Sequence, residues 1–495
     1  MFQPFRRICV IVWAAVVAIV SLGACGRIQN QSDGGTASTG GGGGGGTSGG
    51  SSDSSSSLFY LERDGCTNRS PKGVASPNGA FTIVWLAQQC TDSVQNGLFG
   101  AHHENGTWST PQKLTSQPSL FSVAATGESD VSVIITLPNS VQISELRYTK
   151  PNGFGYFTPY LDTLFPPQSI YSGFNAAGQG AFVAHSANTS NYNDQTIELF
   201  TYAAASGWKQ SATTVERLTP TTGQSVWLRL LALHVLPSGN SNAFYQLNKT
   251  VFGTQASSPY VVTSSIEVRK YSPGGALLAQ GRIAEMSESV PNGSYGKLNL
   301  GGFVSRLNRR GDAVACYSLS DESVPTNRTL TFLCRKSQGE SDWAAAEVIA
   351  TLVSPSNNIV ATALSEAGDT TFAFSANGKL RPFVSSVSAL GWTEKPIDAD
   401  DLLYPVMNYS LGAFYKSDNV LRLVWRTTSP DVTFYKSELR DGAWTPRASL
   451  GKFAATPTNS EAGLPDGPVL QGGSQSLLLY PYNNSVRIIL AGLWL

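Results

Sequence analysis

Charge is scarce in this chain. Asp, Glu, Lys and Arg make up 14% of its 495 residues, and they balance to a formal net charge of zero. A nucleic-acid partner needs a basic face to neutralise phosphates, so the balance argues against one. Histidine is scarcer still, at four residues: His102, His103, His185 and His234. No close pair of Cys or His has zinc-ligand spacing. There is no Gly-x-Ser-x-Gly elbow, no His-Glu-x-x-His pair and no phosphate loop. The unbroken glycine run from Gly40 to Gly46 is not flanked by a strand and a helix, so it reads as a flexible tether. What the chain has in quantity is Gly (49), Pro (26) and aromatics (10%), with abundant Ser, Thr and Val. That mixture suits short strands joined by many turns.

The N-terminus carries an address. Arg6 and Arg7 precede an apolar run from Ile8 to Val20, and Leu22-Gly23-Ala24-Cys25 closes it. The run is short of the ~20 residues that a membrane-spanning helix needs. A charged start, an apolar middle and small residues before a cut describe a secretory signal. With cysteine at the cut, the segment resembles a bacterial lipobox. The resemblance implies that Cys25 receives a diacylglycerol and becomes the mature N-terminus, holding the protein to a membrane. Gly26, where an Asp would resemble an inner-membrane retention mark, implies the outer membrane of the cell envelope. The expected organisation is a signal over 1–25, a disordered Gly/Ser-rich tether over 26–57, and one β domain over 58–495.

Two cysteines fall in the signal, Cys9 and the lipid-bearing Cys25. The other four are Cys66, Cys90, Cys316 and Cys334. An even remainder in an exported chain favours disulfides. Of the three connectivities, proximity favours Cys66–Cys90 with Cys316–Cys334. Buried thiols are the alternative.

Beyond the tether one pattern recurs: an apolar strand, a polar turn, then a second apolar strand. The turns fall at Ser76 to Gly79, Gly127 to Asp130, Gly178, Pro237 to Gly239, Arg310 to Asp312, Gly368-Asp369, Ser417 to Asn419, and Gly472 to Ser474. Each reads as a hairpin. Most are followed by a turn and an aromatic: Trp108, Tyr156, Trp208, Trp343, Trp392 and Trp444. Several of these lie about 50 residues apart, the spacing of propeller blades. A bulky ring repeated at one blade position would fill the wedge between neighbours. Eight hairpins predict eight blades. Seven is the alternative, because no aromatic landmark separates Trp208 from Trp343. The strand at Leu58 to Glu62 is left over and is expected to pair with the C-terminal blade, closing the ring without a free edge.

Phe81-Thr82-Ile83-Val84-Trp85 with Gly106-Thr107-Trp108-Ser109-Thr110-Pro111, and Gly442-Ala443-Trp444-Thr445-Pro446, resemble the sialidase-like β-propeller repeats of bacterial lipoproteins. The sialidase Asp-box pattern is only approached from Ser437 to Trp444, with Asp441 displaced. The resemblance therefore implies the fold and leaves the catalytic analogy behind. A retaining sialidase would need an arginine triad, a Tyr nucleophile and a Glu. Arg306, Arg309 and Arg310 occur without that family's Phe-Arg-Ile-Pro signature.

Other candidates weigh less. Asp398, Asp400 and Asp401 form the densest acidic group and read as an inter-strand loop. His102-His103-Glu104 reads as a solvent-facing turn. Arg310-Gly311-Asp312 is an integrin-type tripeptide placed where a hairpin turn is expected. No catalytic, metal or cofactor-binding residue is assigned. The expected role is a non-catalytic binding or scaffold module, with a glycan or protein at the propeller funnel. The alternative is a glycoside hydrolase or lyase with an unfamiliar site.

Overall fold

The computed structural model describes residues 65–453 with short internal gaps, the longest spanning 398–410, and the segments 28–31, 58–61, 469–472, 475–483 and 488–494. Cys25, the signal and Asp398, Asp400 and Asp401 lie outside the described residues. Among the described residues there is one single-turn 3-10 helix, Ser93–Gln95, and otherwise strand and turn. None of their helices is long and apolar enough to cross a membrane.

The strands assemble into eight antiparallel sheets, sheets 1 to 8. Their first strands are Thr67–Ala75, Leu120–Ala125, Pro167–Phe174, Gln224–Val235, Leu298–Leu307, Val360–Leu364, Leu411–Tyr415 and Val469–Gly472. Within sheets 1 to 7, successive strands are neighbours, so each is a meander of the propeller-like kind. Each first strand touches the first strand of the next sheet, and that of sheet 8 touches that of sheet 1. Sheet 8 is assembled differently. After Ile488–Trp494 comes Leu58–Leu61, antiparallel, with Leu58 opposite Leu493 and Leu61 opposite Leu490. Ile28–Gln31 then pairs with Leu58–Leu61. That strand lies inside the segment 26–57 expected to be tether. An exposed strand edge has unpaired donors and acceptors, and even a short polar segment can satisfy them.

The hairpin turns fall between the first and second strands. In five of them glycine takes the left-handed conformation: Gly79, Gly178, Gly239, Gly311 and Gly368, with φ from 72° to 94°. The residue three before each accepts from the glycine N–H, as Asn308 does from Gly311, and donates to the carbonyl one beyond it. Only a residue without a Cβ adopts that conformation at no cost. The turns also reach across sheets. Asn175 Nδ2 donates to Leu236 O and Pro237 O (both 3.1 Å), and Asn308 Nδ2 donates to Ser365 O (2.9 Å).

The recurring tryptophans bridge each sheet to the one before it. Trp208 Nε1 donates to Glu145 Oε2 at 2.7 Å, and Trp444 Nε1 to Lys395 O at 2.9 Å. Trp343 meets Phe244 edge-on at 5.7 Å, and Lys336 Nζ sits 5.1 Å from the Trp392 ring centre. Trp108 packs in the cluster that includes Leu477 of sheet 8. The side chain of Tyr156 lies outside the described residues. The landmark skips sheet 4 because its outer strand, Leu277–Val290, runs unbroken where sheets 1, 3 and 7 split theirs at the tryptophan.

Both short-range disulfides are formed, Cys66–Cys90 and Cys316–Cys334. Cys316 and Cys334 are directly opposed on the second and third strands of sheet 5, and both are fully buried.

Candidate functional site

A cavity of about 90 Å³ is lined by the first strands of sheets 1 to 5. Lys72, Ser122, Tyr171, Ser172, His234 and Ser305 supply its polar groups. Lys72 Nζ donates to Phe121 O and lies 5.0 Å from the Phe121 ring centre. Ser122 Oγ accepts from both the N–H and the hydroxyl of Ser172, at 3.0 and 2.9 Å. A volume of this size takes a few waters. Sites for drug-sized ligands are several times larger.

Two arrangements here have the outline of catalytic groups. His234 Nε2 and Ser305 Oγ are hydrogen bonded at 2.9 Å. An activated serine needs a histidine that accepts a proton near neutral pH and is held by a third group. Burial and the nearby Arg306 charge push the His234 imidazole down to about 3. Its Nδ1 has no hydrogen-bond partner among the described residues. It is a neutral structural histidine.

The other arrangement joins Tyr245, Glu216 and Arg269. Tyr245 Oη donates to Glu216 Oε2 at 3.0 Å, and Arg269 Nη2 donates to the same oxygen at 2.6 Å. Tyr, Glu and Arg are the residue types a sialidase employs. Their placement differs, however. Glu216 sits on the outer strand Thr213–Leu218 of sheet 3, and Tyr245 is 1% exposed in the core between sheets 3 and 4. Burial first, and then the Glu216 charge, push the Tyr245 phenol far up. A nucleophile needs the opposite shift, so this trio latches two sheets together.

The remaining candidates resolve as structure. His102 and His103 occupy the third strand of sheet 1, Gly97–Glu104, and both are buried. The reading as a solvent-facing turn is corrected: the two faces of this strand pack against different neighbouring elements, so adjacent residues are both covered. His102 Nδ1 bonds Thr82 Oγ1 at 2.8 Å and the ring stacks on Tyr148 at 4.0 Å. Burial lowers its pKa to about 4. His185 Nε2 bonds Gln195 Oε1 at 3.1 Å. In the Arg310-Gly311-Asp312 turn, Asp312 is 1% exposed. Its carboxylate accepts from Asn308 Nδ2 and Gly339 N, both at 2.9 Å. An integrin-type partner could not reach it. Arg306, Arg309 and Arg310 do not converge: Arg310 Nη1 donates to Glu366 O and Ala367 O across to sheet 6, and Arg306 Nη1 to Ser305 O. Ser437 of the partial Asp-box donates to Thr445 O at 2.7 Å, closing the turn that carries Asp441 and Trp444. Among the described residues no three His, Cys, Asp or Glu side chains gather to hold a metal ion.

Sequence reasoning missed the cavity residues Lys72, Ser172 and Ser305, and met His234 only as one of the four histidines. No motif marks them. The available signal was phase, since each stands on a first strand a few residues ahead of its hairpin turn.

No family model and no curated protein matches this chain. Among solved structures it is similar to a Hadza microbial sialidase (12% identity, 74% of this chain and 73% of that one, TM-score 0.35). It is also similar to the α-L-arabinanase of Penicillium chrysogenum complexed with arabinobiose (11%, 64% and 90%, TM-score 0.32). A third is prolyl oligopeptidase B of Galerina marginata (8%, 84% and 54%, TM-score 0.40). All three likenesses are loose, and the fold description rests on the sheet topology.

Proposed function

We propose that this chain is an exported lipoprotein, anchored through Cys25 in the outer membrane of the cell envelope. Its eight sheets are the blades of one propeller, closed where Leu58–Leu61 adds to Ile488–Trp494. The propeller is a non-catalytic module that binds a glycan or protein partner at its channel mouth. The observation that carries this reading is the cavity itself. Its walls come from consecutive first strands, its volume is too small to enclose a sugar, and its Ser–His pair is tuned away from proton transfer.

The anchor is tested by Cys25→Ala, which should abolish lipid labelling and leave the chain unprocessed or soluble. Lipid retained by that variant refutes the anchor. The binding role is tested by titrating the protein against neutral, acidic and sialylated glycans while assaying the same mixtures for released sugar. Saturable binding without turnover is expected. Turnover would move the chain to the hydrolase reading.

A further inference from the structure

On the first strand of sheet 4, Gln224–Val235, alternate residues point to opposite faces up to Leu230, and a bulge at Leu231 breaks the alternation before Ala232. Leu228 and Leu230 are buried in the cluster shared with sheet 3. The opposite face carries Ala232, which lines the cavity, and then, across the bulge, Arg229 and Trp227 further out. At about 6.6 Å per two residues, those side chains rise from the cavity to the mouth. Trp227 is 47% exposed. Arg229 is exposed too, and it enters none of the ion pairs formed among the described residues.

Sheet 5 supplies the facing wall. Gln246, directly opposite Arg229 in the neighbouring strand, donates through Nε2 to Leu300 O at 2.9 Å. The first strand of sheet 5 therefore passes beside Arg229, and it continues into Gly301 and Gly302 with the exposed Asn299 before them. A Cβ placed on Gly301 would meet nothing within 4 Å. The result is a slot with a bare-backbone wall on one side and a cation and an indole on the other. Two more exposed aromatics stand at the same end of sheet 4, Phe252 (50%) and Tyr295 (90%).

An unpaired guanidinium selects an anion with planar or multidentate oxygens. An exposed indole beside it selects a flat apolar face, such as the C–H face of a pyranose. We propose that this slot binds an anionic glycan, with a sugar ring stacked on Trp227 and its carboxylate or sulfate held by Arg229. The proposal rests on the reading of the mouth as a ligand site and gives that ligand a chemistry.

The test is a tryptophan-fluorescence and calorimetric titration of the full chain with three probes. These are an oligogalacturonate (carboxylate), a carrageenan oligosaccharide (sulfate) and cellohexaose (neutral). Either anionic probe should bind, which identifies the anion, and cellohexaose should not. Arg229→Ala should weaken binding 10- to 100-fold, Arg229→Lys should restore part of it, and Trp227→Ala should weaken it at least 10-fold. Arg309→Ala, on an exposed turn at the other end of the strands, should bind as the wild type does. Thermal melts confirm that each variant is folded. Equal affinity in Arg229→Ala, or no binding of either anionic probe, overturns the proposal. Binding of cellohexaose alone would overturn it while leaving the glycan-module reading intact.

Discussion

The Cys316–Cys334 bridge should hold more of the domain's stability than Cys66–Cys90, although it closes the shorter loop. The sequence separations are 18 and 24 residues. Chain-entropy arithmetic gives about 3.2 kcal/mol for the first and about 3.5 kcal/mol for the second at 25 °C. Burial reverses that order. Both sulfurs of Cys316–Cys334 lie in the core cluster shared by sheets 5 and 6, with Phe332, Phe372 and Phe374. Cys90 is only half-buried. Replacing two buried sulfurs with Ala adds a cavity cost of roughly 2 kcal/mol, which brings Cys316→Ala/Cys334→Ala to about 5 kcal/mol. For a domain of this size that is roughly 5 °C in melting temperature. The assay is thermal unfolding of wild type and of both double variants, with and without reductant, paired with mass mapping of unreduced protein. Reductant should lower the wild-type midpoint more than that of either double variant, each of which has only one bridge left to lose. Free thiols at Cys316 and Cys334 in unreduced protein, or a Cys316→Ala/Cys334→Ala midpoint within a degree of wild type, would refute the reasoning.

Stability should fall on acidification through the histidines. His102 and His234 stay neutral in the fold down to about pH 4 and about pH 3, while the unfolded chain protonates them near 6.5. Stability is thus fully present above pH 6.5 and is lost as pH falls toward those folded values, by about 1.4 kcal/mol per unit per histidine. Denaturant midpoints from pH 8 to 4 should show a shallower decline in His234→Asn than in wild type. Lys336→Met should cost 3–5 kcal/mol, because the 2%-exposed ammonium is held by Glu347 Oε1 (3.0 Å), Ser385 Oγ (2.8 Å) and Ala389 O (2.6 Å). A urea midpoint unchanged in that variant would contradict the role of this cation between sheets 5 and 6. Deleting Leu58 to Asp64 should lower the melting temperature far more than deleting Gly34 to Asp53, and equal midpoints would sink ring closure.

Local chemistry made much of this fold legible. A turn with glycine three residues after its capping residue, as from Asn308 to Gly311, forms wherever it is placed, so the hairpins could be found one by one. The tryptophan spacing was legible for a related reason, since each ring answers the same wedge of space in successive sheets. Cysteine proximity sufficed for pairing because Cys316 and Cys334 face each other within one hairpin.

Tertiary structure alone decided what depends on a neighbouring sheet. His102 and His103 look polar in sequence, and they are buried because both faces of their strand are covered. Asp312 looks displayed in its tripeptide, and it is consumed by Asn308 and Gly339. The contacts of Glu216 with Tyr245 and Arg269, and of His234 with Ser305, arise between sheets, with partners 29 to 71 residues apart. So does the slot beside Trp227 and Arg229, whose second wall is the backbone of Gly301. Sequence fixes what each strand can do with its own hairpin. Which side chains share a low-dielectric space, and which remain open to solvent, is set only when the sheets pack.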